Sequence, residues 1–564
     1  MKRRDIIKGL SLLPLSGAVG SALASGVPTG TALASGVPTA PPLANSGPNE
    51  LLTPGPTGFP GLTADQNIFR SLGVEPLINC RGTFTIIGGS LERPSVRAAM
   101  DAAARNFVQY DELADGIAKR LAELTGAPWA MVSAGCAAGL KHVTAACVTG
   151  GNPERLIRIP DLTGMEKTEV IIPAGSRNVY DHAIRNIGVK IITVETLEQL
   201  EHSLSAKTAM IYLTSEDEGP VTLEAVAKLV KDRNIPILVD AAAENLTIPN
   251  IHLARGATIV AYSGGKALCG PQCAGLLLGD KDLLMSAWQA SSPHHGPGRD
   301  NKVGREEMIG MLAAVQAWVS MDHDAQWKKW LSWLDTISKK LTTVAGVKAT
   351  VNEPKELSNH SPVLIVSWDP AKLNLTGEEL AEELGRTTPR IAVGSGGKNR
   401  KEPGTVTSID ITTGQMQPGE ELLVADRIYG LLTKQRPVQD TTVKPPSANL
   451  TGRWDLNIKY FSSTSKHKIY LEQDGNWVQG THQGDFSVQD ITGTIEGSLV
   501  KLKSIARHPG DHITWLFSGT VDGDTIKGEI YLGEYRTASF TATRNKTRGT
   551  REPINIPAGP PLAT

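Results

Sequence analysis

The sequence predicts an α/β chain in which a mainly parallel sheet flanked by helices precedes a small α+β domain and a C-terminal antiparallel β-barrel or sandwich. Three observations support this fold class. The chain has 564 residues, which is more than a single hydrophobic core uses. Short apolar runs alternate with helical stretches over residues 64–434, a rhythm typical of parallel sheets. Beyond residue 450 the runs alternate in polarity and are broken by Gly or Asp-Gly, as in antiparallel meanders.

The N-terminal segment has the three regions of an export signal. A basic head is followed by an apolar middle and a small-x-small ending at Ala22-Leu23-Ala24. Arg3 and Arg4 resemble the pair of a twin-arginine signal. We expect a signal peptide over residues 1–24 and a disordered Pro/Gly/Ser-rich spacer over 25–63. The protein is then periplasmic or secreted through the twin-arginine export machinery, with no stable membrane anchor because the apolar part is too short.

The large domain is expected over residues 64–329. The stretch "SVRAAMDAAARNFVQYDELADGIAKRLAELTG" has the spacing of one helical region, with Gly126 as its stop. Continuous apolar runs favour buried strands of a parallel sheet. The runs are "EVIIPA", "VKIITVE", "AMIYLT", "IPILVD" and "ATIVAYS".

The remaining segments follow from changes in composition. A small α+β domain is expected over 330–435, a Pro- and Thr-rich linker over 436–449, a barrel-like domain over 450–547 and a disordered tail over 548–564. The barrel-like domain shows no catalytic cluster, so it is interpreted as a stability or interaction module. Its histidines fall on different strands or turns and are interpreted as ordinary surface residues rather than ligands: His467, His482, His508 and His512.

Composition excludes some functions. The formal net charge of −1 gives no bulk attraction for nucleic acid or an anionic membrane, so no nucleic-acid partner is expected. Five cysteines are too few for a disulfide scaffold. Cys269 and Cys273 lack a second ligand pair, so no metal site is expected.

A possible phosphate cradle lies in "MVSAGCAAGLKHVTAACV", where a short apolar run turns through small residues into a helix. Small residues let backbone N–H groups approach an anion, and the helix N-terminus attracts negative charge. Tight packing is the alternative explanation. The turn runs through Ser133-Ala134-Gly135-Cys136-Ala137-Ala138-Gly139.

Two charged residues follow neighbouring predicted strands. Asp240 ends "IPILVD", where α/β sheets bind ligands, although Asp also favours helix caps. Lys266 lies in "YSGGKALCGP" between two Gly-containing turns, and a desolvated lysine forms Schiff bases with carbonyls. A solvated lysine is the alternative. An anion cradle, a carboxylate and a lysine are together the parts that pyridoxal 5'-phosphate requires.

These motifs in this order resemble one branch of the fold-type-I pyridoxal-phosphate enzymes. That branch contains selenocysteine synthase (L-seryl-tRNA selenium transferase)-like and D-glucosaminate-6-phosphate ammonia-lyase-like proteins. The resemblance covers residues 73–432 and is carried by "LINCRGTFTIIGGS", "SAGCAAGL", "RNVYDHAIRNIGVKIITVE", "DAAAE", "YSGGKALCGPQCAGLLLG" and "GRDNKVGREEMIG". It implies that Lys266 forms the Schiff base and that Asp240 pairs with the pyridine nitrogen. It also implies that backbone groups of Gly135, Cys136 and Ala137 hold the phosphate, with Ser133 and Ser263 as candidate hydroxyl donors.

The resemblance also implies a homodimer or higher homo-oligomer with active sites at subunit interfaces. Arg299 and Lys302 then reach a phosphate or substrate anion from the neighbouring chain. Arg81 and Arg390 are candidates for the substrate carboxylate, with ordinary ion pairing as the alternative. The chain departs from the branch at Ser176, where a histidine is expected.

The resulting hypothesis is an exported pyridoxal-phosphate-dependent lyase or transferase that acts on a small amino acid or amino-sugar acid. Lys266 takes the Cα proton and a β-leaving group departs, as in an ammonia-lyase. One alternative is an L-seryl-tRNA selenium transferase-like enzyme, which the export signal argues against because charged tRNA is cytoplasmic. Another is a non-catalytic exported binding protein in which the β-domain carries the function.

Overall fold

The computed structural model describes residues 68–214, 219–397, 404–437 and 442–546. The predicted signal peptide, spacer and tail lie outside these residues. The chain divides into two compact units, Met1–Pro76 and Leu77–Thr564. The described part of the first unit holds one short helix, α1 (Ile68–Ser71).

The large domain, entered through the short strand β1 (Leu77–Asn79), is built on a seven-stranded sheet. Its strands are β2 (Trp129–Ser133), β3 (Glu169–Pro173), β4 (Lys190–Val194), β5 (Thr208–Thr214), β6 (Ile237–Asp240), β7 (Ile259–Ser263) and β8 (Gly275–Gly279). The order is β2-β8-β7-β6-β5-β3-β4, and only the pairings that involve β8 are antiparallel. The five predicted strands are all present as β3 to β7. Their apolar residues are buried on both faces, which is why the sequence lacks polar alternation there.

Helices cover both faces of this sheet. They are α2 (Pro94–Ala104), α3 (Tyr110–Thr125), α4 (Cys136–Thr149), α5 (Pro153–Leu156), α6 (His182–Arg185), α7 (Leu197–Ser203), α8 (Leu223–Val230), α9 (Ile251–Ala254), α10 (Lys281–Ala290) and α11 (Arg305–Val319). The stretch that was predicted as one helical region forms two helices, α2 and α3. The second helix begins at a new N-cap, where the Gln109 side chain accepts a hydrogen bond from Glu112 N. α3 stops at Gly126 as predicted.

The small domain packs helices on a four-stranded antiparallel sheet of order β12-β13-β10-β9. Its elements are α12 (His323–Leu341), β9 (Lys348–Asn352), β10 (Val363–Trp368), α13 (Pro370–Leu373), α14 (Gly377–Arg386), β11 (Arg390–Ala392), β12 (Gly394–Gly397), β13 (Thr407–Thr412) and α15 (Glu420–Thr433). β11 pairs in parallel with β1, so the start of the large domain is joined to the small one.

The C-terminal domain is a closed antiparallel barrel, which decides between the two predicted forms. Its strands are β14 (Gly452–Lys459), β15 (Thr464–Asp474), β16 (Trp477–Gln483), β17 (Val488–Glu496), β18 (Leu499–His508), β19 (Asp511–Asp522), β20 (Thr525–Tyr531) and β21 (Thr537–Asn545). β14 pairs with β21 and closes the barrel. Inward residues alternate with exposed ones along each strand, as the sequence pattern indicated. Among the described residues, no helix is both long and apolar enough to cross a bilayer.

Candidate active site

The first part of the site is the turn between β2 and α4. Gly135 has φ 88° and ψ 160°, a backbone conformation essentially confined to glycine, and α4 begins at the next residue. The first-turn N–H groups of Cys136, Ala137 and Ala138 have no acceptor within the helix. The Ser133 hydroxyl donates to the Gly135 carbonyl oxygen at 2.8 Å, so it is engaged within the turn. The turn therefore offers backbone donors and a helix N-terminus to an anion.

The second part is the buried carboxylate of Asp240 at the end of β6. Its Oδ1 accepts from Ala242 N at 3.1 Å and lies 3.6 Å from Cys136 Sγ, and its Oδ2 accepts from the Tyr212 hydroxyl at 2.9 Å. Burial raises the pKa of Asp240, while the Tyr212 and Ala242 hydrogen bonds and the Lys266 charge lower it. A cation beside this carboxylate would offset the burial cost and hold it ionised.

The third part is Lys266, in the loop after β7. The loop is fixed by Cys269 N donating to the Lys266 carbonyl oxygen at 3.0 Å and by Ser90 N donating to Gly265 O at 2.9 Å. Among the described residues, the Lys266 ammonium forms no hydrogen bond or salt bridge. Its charge lowers the pKa of both Asp240 and the Cys136 thiol, although burial holds the thiol pKa well above its usual value. An uncommitted amine thus lies beside a buried carboxylate.

Sequence reasoning missed the residues behind Asp240. Asn178 Nδ2 donates to the Tyr212 hydroxyl at 3.2 Å, and Ser176 Oγ accepts from Thr214 N at 3.1 Å. Burial is the main cause of the raised pKa of Tyr212. The available signal was the tyrosine within the apolar run "AMIYLT", because a buried tyrosine hydroxyl needs a partner. Ser176 is fully buried against β5, whereas His182, the nearby histidine, is exposed on α6.

A cleft of about 860 Å³ opens beside Lys266, since Ala267 and Cys269 are among its lining residues. It lies between the start of the large domain, α12 and the small domain. Its wall is rich in aromatic and cationic side chains: Trp318, Trp327, Trp330, Trp333, Arg81, Arg93, Arg97 and Lys329, with Glu92 and Asp324 as acidic members. Arg93 Nε is buried and has no hydrogen-bond partner among the described residues. The Arg81 guanidinium lies 4.7 Å from the centroid of the Phe84 ring.

The other predicted site residues lie apart from the Asp240–Lys266 pair or at its edge. Ser263 ends β7 and is half-buried. Arg390 opens β11 and pairs through its backbone with Leu77. Arg299 Nη1 donates to Ser292 Oγ at 3.0 Å, and Lys302 is exposed on the same loop after α10. The structure thus brings together the Gly135–Ala137 turn, Asp240 and Lys266, with Arg81 on the adjoining cleft.

All five cysteines are free thiols. Within the described ranges, no group of three or more His, Cys, Asp or Glu residues is arranged to hold a metal ion.

Known proteins support the resemblance stated above. The chain is 29% identical over 331 residues to D-glucosaminate-6-phosphate ammonia lyase of Salmonella typhimurium, covering 56% of this chain and 86% of that protein. It is 29% identical over 339 residues to a Streptomyces 5'-C-glycyluridine monooxygenase-decarboxylase, covering 57% and 83%. It is 24% identical over 291 residues to L-seryl-tRNA(Sec) selenium transferase of Proteus mirabilis, covering 44% and 57%. No family model matches the chain.

Among solved structures, that of a D-glucosaminate-6-phosphate ammonia-lyase matches with a TM-score of 0.58 and 26% identity. The match covers 65% of this chain and 98% of the other. The predicted branch and fold class are therefore confirmed, with the barrel as an addition to the shared core. The predicted enzyme class, a pyridoxal-phosphate-dependent lyase or transferase, is likewise confirmed by these relatives.

Proposed function

We propose that this chain, a homologue of D-glucosaminate-6-phosphate ammonia lyase and of L-seryl-tRNA(Sec) selenium transferase, is an exported enzyme that binds pyridoxal 5'-phosphate and eliminates a β-substituent from an amino acid or amino-sugar acid. The observation that carries the proposal is the uncommitted Lys266 amine beside the buried Asp240 carboxylate, at a sheet edge that also holds a glycine turn opening a helix.

The residues present fit the cofactor. The N–H groups at the start of α4 suit its phosphate, and the conformation of Gly135 leaves the approach to them open. Asp240 suits a protonated ring nitrogen, because a buried carboxylate is stabilised by a cationic partner. Lys266 suits the aldehyde, because its amine has no competing partner among the described residues.

Pyridoxal phosphate, when bound, supplies an electron sink for negative charge that develops at the substrate Cα. The protein's part is to move a proton and to hold charge. Lys266, following β7, is the base that takes the Cα proton. The hydrogen bonds from Tyr212 and Ala242 oppose the rise in the Asp240 pKa that burial causes, and the ionised carboxylate stabilises positive charge opposite it.

The cleft supports an amino-sugar acid over a smaller amino acid. About 860 Å³ exceeds the need of a small amino acid, and tryptophan faces pack well against sugar rings and chains. Arg81 and Arg93 suit carboxylate or phosphate groups, since a guanidinium binds such anions through two parallel hydrogen bonds.

We further propose that the enzyme works as a homo-oligomer outside the cytoplasm. The segment after β1 exposes several large apolar side chains, which suits a contact with a second copy. They are Phe84, Ile86, Leu91, Phe107 and Val108. Arg299 and Lys302 then serve a neighbouring active site, and the twin-arginine-like start directs export.

The test is a substrate screen with purified mature chain and pyridoxal phosphate. Ammonia and 2-oxo-acid formation are measured for amino-sugar acids, with and without a terminal phosphate, and for small amino acids. Activity on an amino-sugar acid that Lys266→Ala abolishes is the expected result. Activity that Lys266→Ala retains would contradict the proposal.

A further inference from the structure

The barrel touches the supporting side of the active site through one hairpin. Pro509 and Gly510 connect β18 to β19. The Pro509 carbonyl oxygen accepts a hydrogen bond from Arg177 Nη2 at 3.3 Å. Gly510 has φ +78°, and a Cβ built there would stand 2.9 Å from Asn178 N and 3.1 Å from Asn178 O. Only glycine allows both this turn and this close approach.

The segment that the hairpin touches leads directly to Asp240. Asn178 Nδ2 donates to the Tyr212 hydroxyl at 3.2 Å, and Tyr212 donates to Asp240 Oδ2 at 2.9 Å. Two hydrogen bonds therefore separate the residue under the barrel hairpin from the carboxylate of the site.

The same segment has little regular structure of its own. It consists of two short 3₁₀ turns, Ala174–Ser176 and Val179–Asp181. Arg177 anchors it by donating to the fully buried Asp181 and to Thr193 Oγ1, both at 2.6 Å. Asn178, one residue on, is covered by Gly510. Within the segment Asn178 also donates to Ser176 O at 3.2 Å and accepts from Tyr180 N at 2.8 Å. The barrel adds to these local bonds a contact from outside the segment, at Gly510.

We propose that the Pro509–Gly510 hairpin is a positioning element of the active site: it holds the segment that contains Arg177 and Asn178, and Asn178 orients the Tyr212 hydroxyl toward Asp240. The inference rests on the proposed function and assigns the barrel a part in tuning the carboxylate that faces the cofactor. The barrel's contribution is indirect, since neither turn residue lines the cleft beside Lys266.

The matched test compares Gly510→Ala with Gly523→Ala in the full chain. Gly523 lies in the hairpin between β19 and β20, has φ +55° and has nothing within 4 Å of a Cβ position. Both variants place an alanine at a positive-φ glycine in a hairpin of the barrel, but only the Cβ at position 510 meets Asn178. Gly510→Ala is expected to weaken pyridoxal-phosphate binding roughly fivefold, which is the change in a binding constant that the loss of one ordinary hydrogen bond produces. It should also shift the pH midpoint of the bound cofactor's absorbance, and Gly523→Ala should do neither.

A double-mutant cycle identifies the route. If the hairpin acts through Tyr212, then Gly510→Ala adds nothing to the spectral shift of Tyr212→Phe. Additive shifts would overturn the route. Should Gly510→Ala not accumulate as folded protein, Arg177→Lys replaces it, because it removes the bond to Pro509 and keeps the charge beside Asp181.

Hydrogen exchange over residues 174–181 gives a readout that needs no cofactor. Faster exchange in Gly510→Ala than in Gly523→Ala is expected. If wild-type protein takes up no pyridoxal phosphate, the proposed function fails while this exchange comparison still decides whether the hairpin orders the segment. If wild type binds the cofactor and the two glycine variants match it in affinity, spectrum and exchange, the positioning role is refuted.

Discussion

Acid should loosen the barrel through a buried histidine pair. His467 Nδ1 lies 2.9 Å from His482 Nε2, and His482 Nδ1 contacts Ser504 Oγ at 2.9 Å and Gln489 Nε2 at 3.1 Å. Trp515 and Phe517 pack edge-on against the His482 ring. The nearest carboxylate, Asp485, lies 3.5 Å from His467 Nε2 and not against His482. Among the described residues no carboxylate forms an ion pair with His482, so a positive charge there would lie beside His467 without a counter-charge.

Burial, then the nearby charge of His467, lowers the pKa of His482 from 6.5 to about 4. Between these values the unfolded chain binds a proton that the folded barrel excludes. The stabilisation is fully present above pH 6.5 and is lost as the pH falls toward 4. With these two pKa values, proton linkage lowers the free energy of opening the barrel by ~2.5 kcal/mol between pH 7.5 and 4.5. The population of the open barrel then rises roughly seventyfold.

The assay is hydrogen exchange of the full chain by mass spectrometry at pH 7.5 and 4.5, corrected for intrinsic rates. Peptides from β15, β16 and β18 should lose protection against exchange at pH 4.5. In His482→Gln, which keeps hydrogen-bonding groups but does not titrate, the acid-induced loss of stability should be smaller by about 2.5 kcal/mol. His508→Gln changes an exposed histidine of β18 and should keep the wild-type pH dependence. An unchanged pH dependence in His482→Gln would show that His482 is not the group responsible for the loss of stability in acid.

Three further predictions concern the site and export. Gly135→Ala should lower the free energy of unfolding by ~1–3 kcal/mol and weaken pyridoxal-phosphate binding, because residues with a Cβ rarely adopt its φ of 88° with ψ of 160°. Thermal melts and cofactor titration measure both effects, and the control Gly116→Ala, at an exposed mid-helix position with open space, should be neutral or stabilising. Arg93→Gln should raise KM for a doubly anionic substrate roughly tenfold with kcat little changed, because it removes one charged hydrogen-bond donor from the cleft. The control Arg105→Gln, at the exposed end of α2, should leave KM unaltered, and equal effects of the two variants would contradict a role for Arg93 in substrate binding. Replacing Arg3 and Arg4 with lysine should leave the protein in the cytoplasm by cell fractionation, and normal export would argue against a twin-arginine signal.

Local pattern was enough to predict the parts of the fold that bring the site together. β6 and β7 are neighbouring parallel strands, so Asp240 and Lys266, which follow their carboxyl ends, had to meet at one edge of the sheet. The break between α2 and α3 was missed, because the Ala-rich spacing continues through it and only the Gln109 cap interrupts the helix.

The remaining features depend on contacts between distant parts of the chain. The interpretation of His467 and His482 as surface residues is wrong, because both are buried. Their pairing follows from the register of β15 on β16, in which Ile469 faces His482 and His467 lies diagonally on the same inward face. The contact of Gly510 with Asn178 joins residues far apart in sequence and in different domains. No local period carries such information, so the support behind Asp240 became visible only in the folded structure.

The role of Lys266 is best tested by saturating the purified protein with pyridoxal phosphate, reducing it with borohydride and mapping the labelled peptide. About one pyridoxyl group per chain is expected on Lys266, with no comparable label in Lys266→Ala. No label, or label spread evenly over exposed lysines, would contradict the assignment of this lysine as the residue that holds the cofactor.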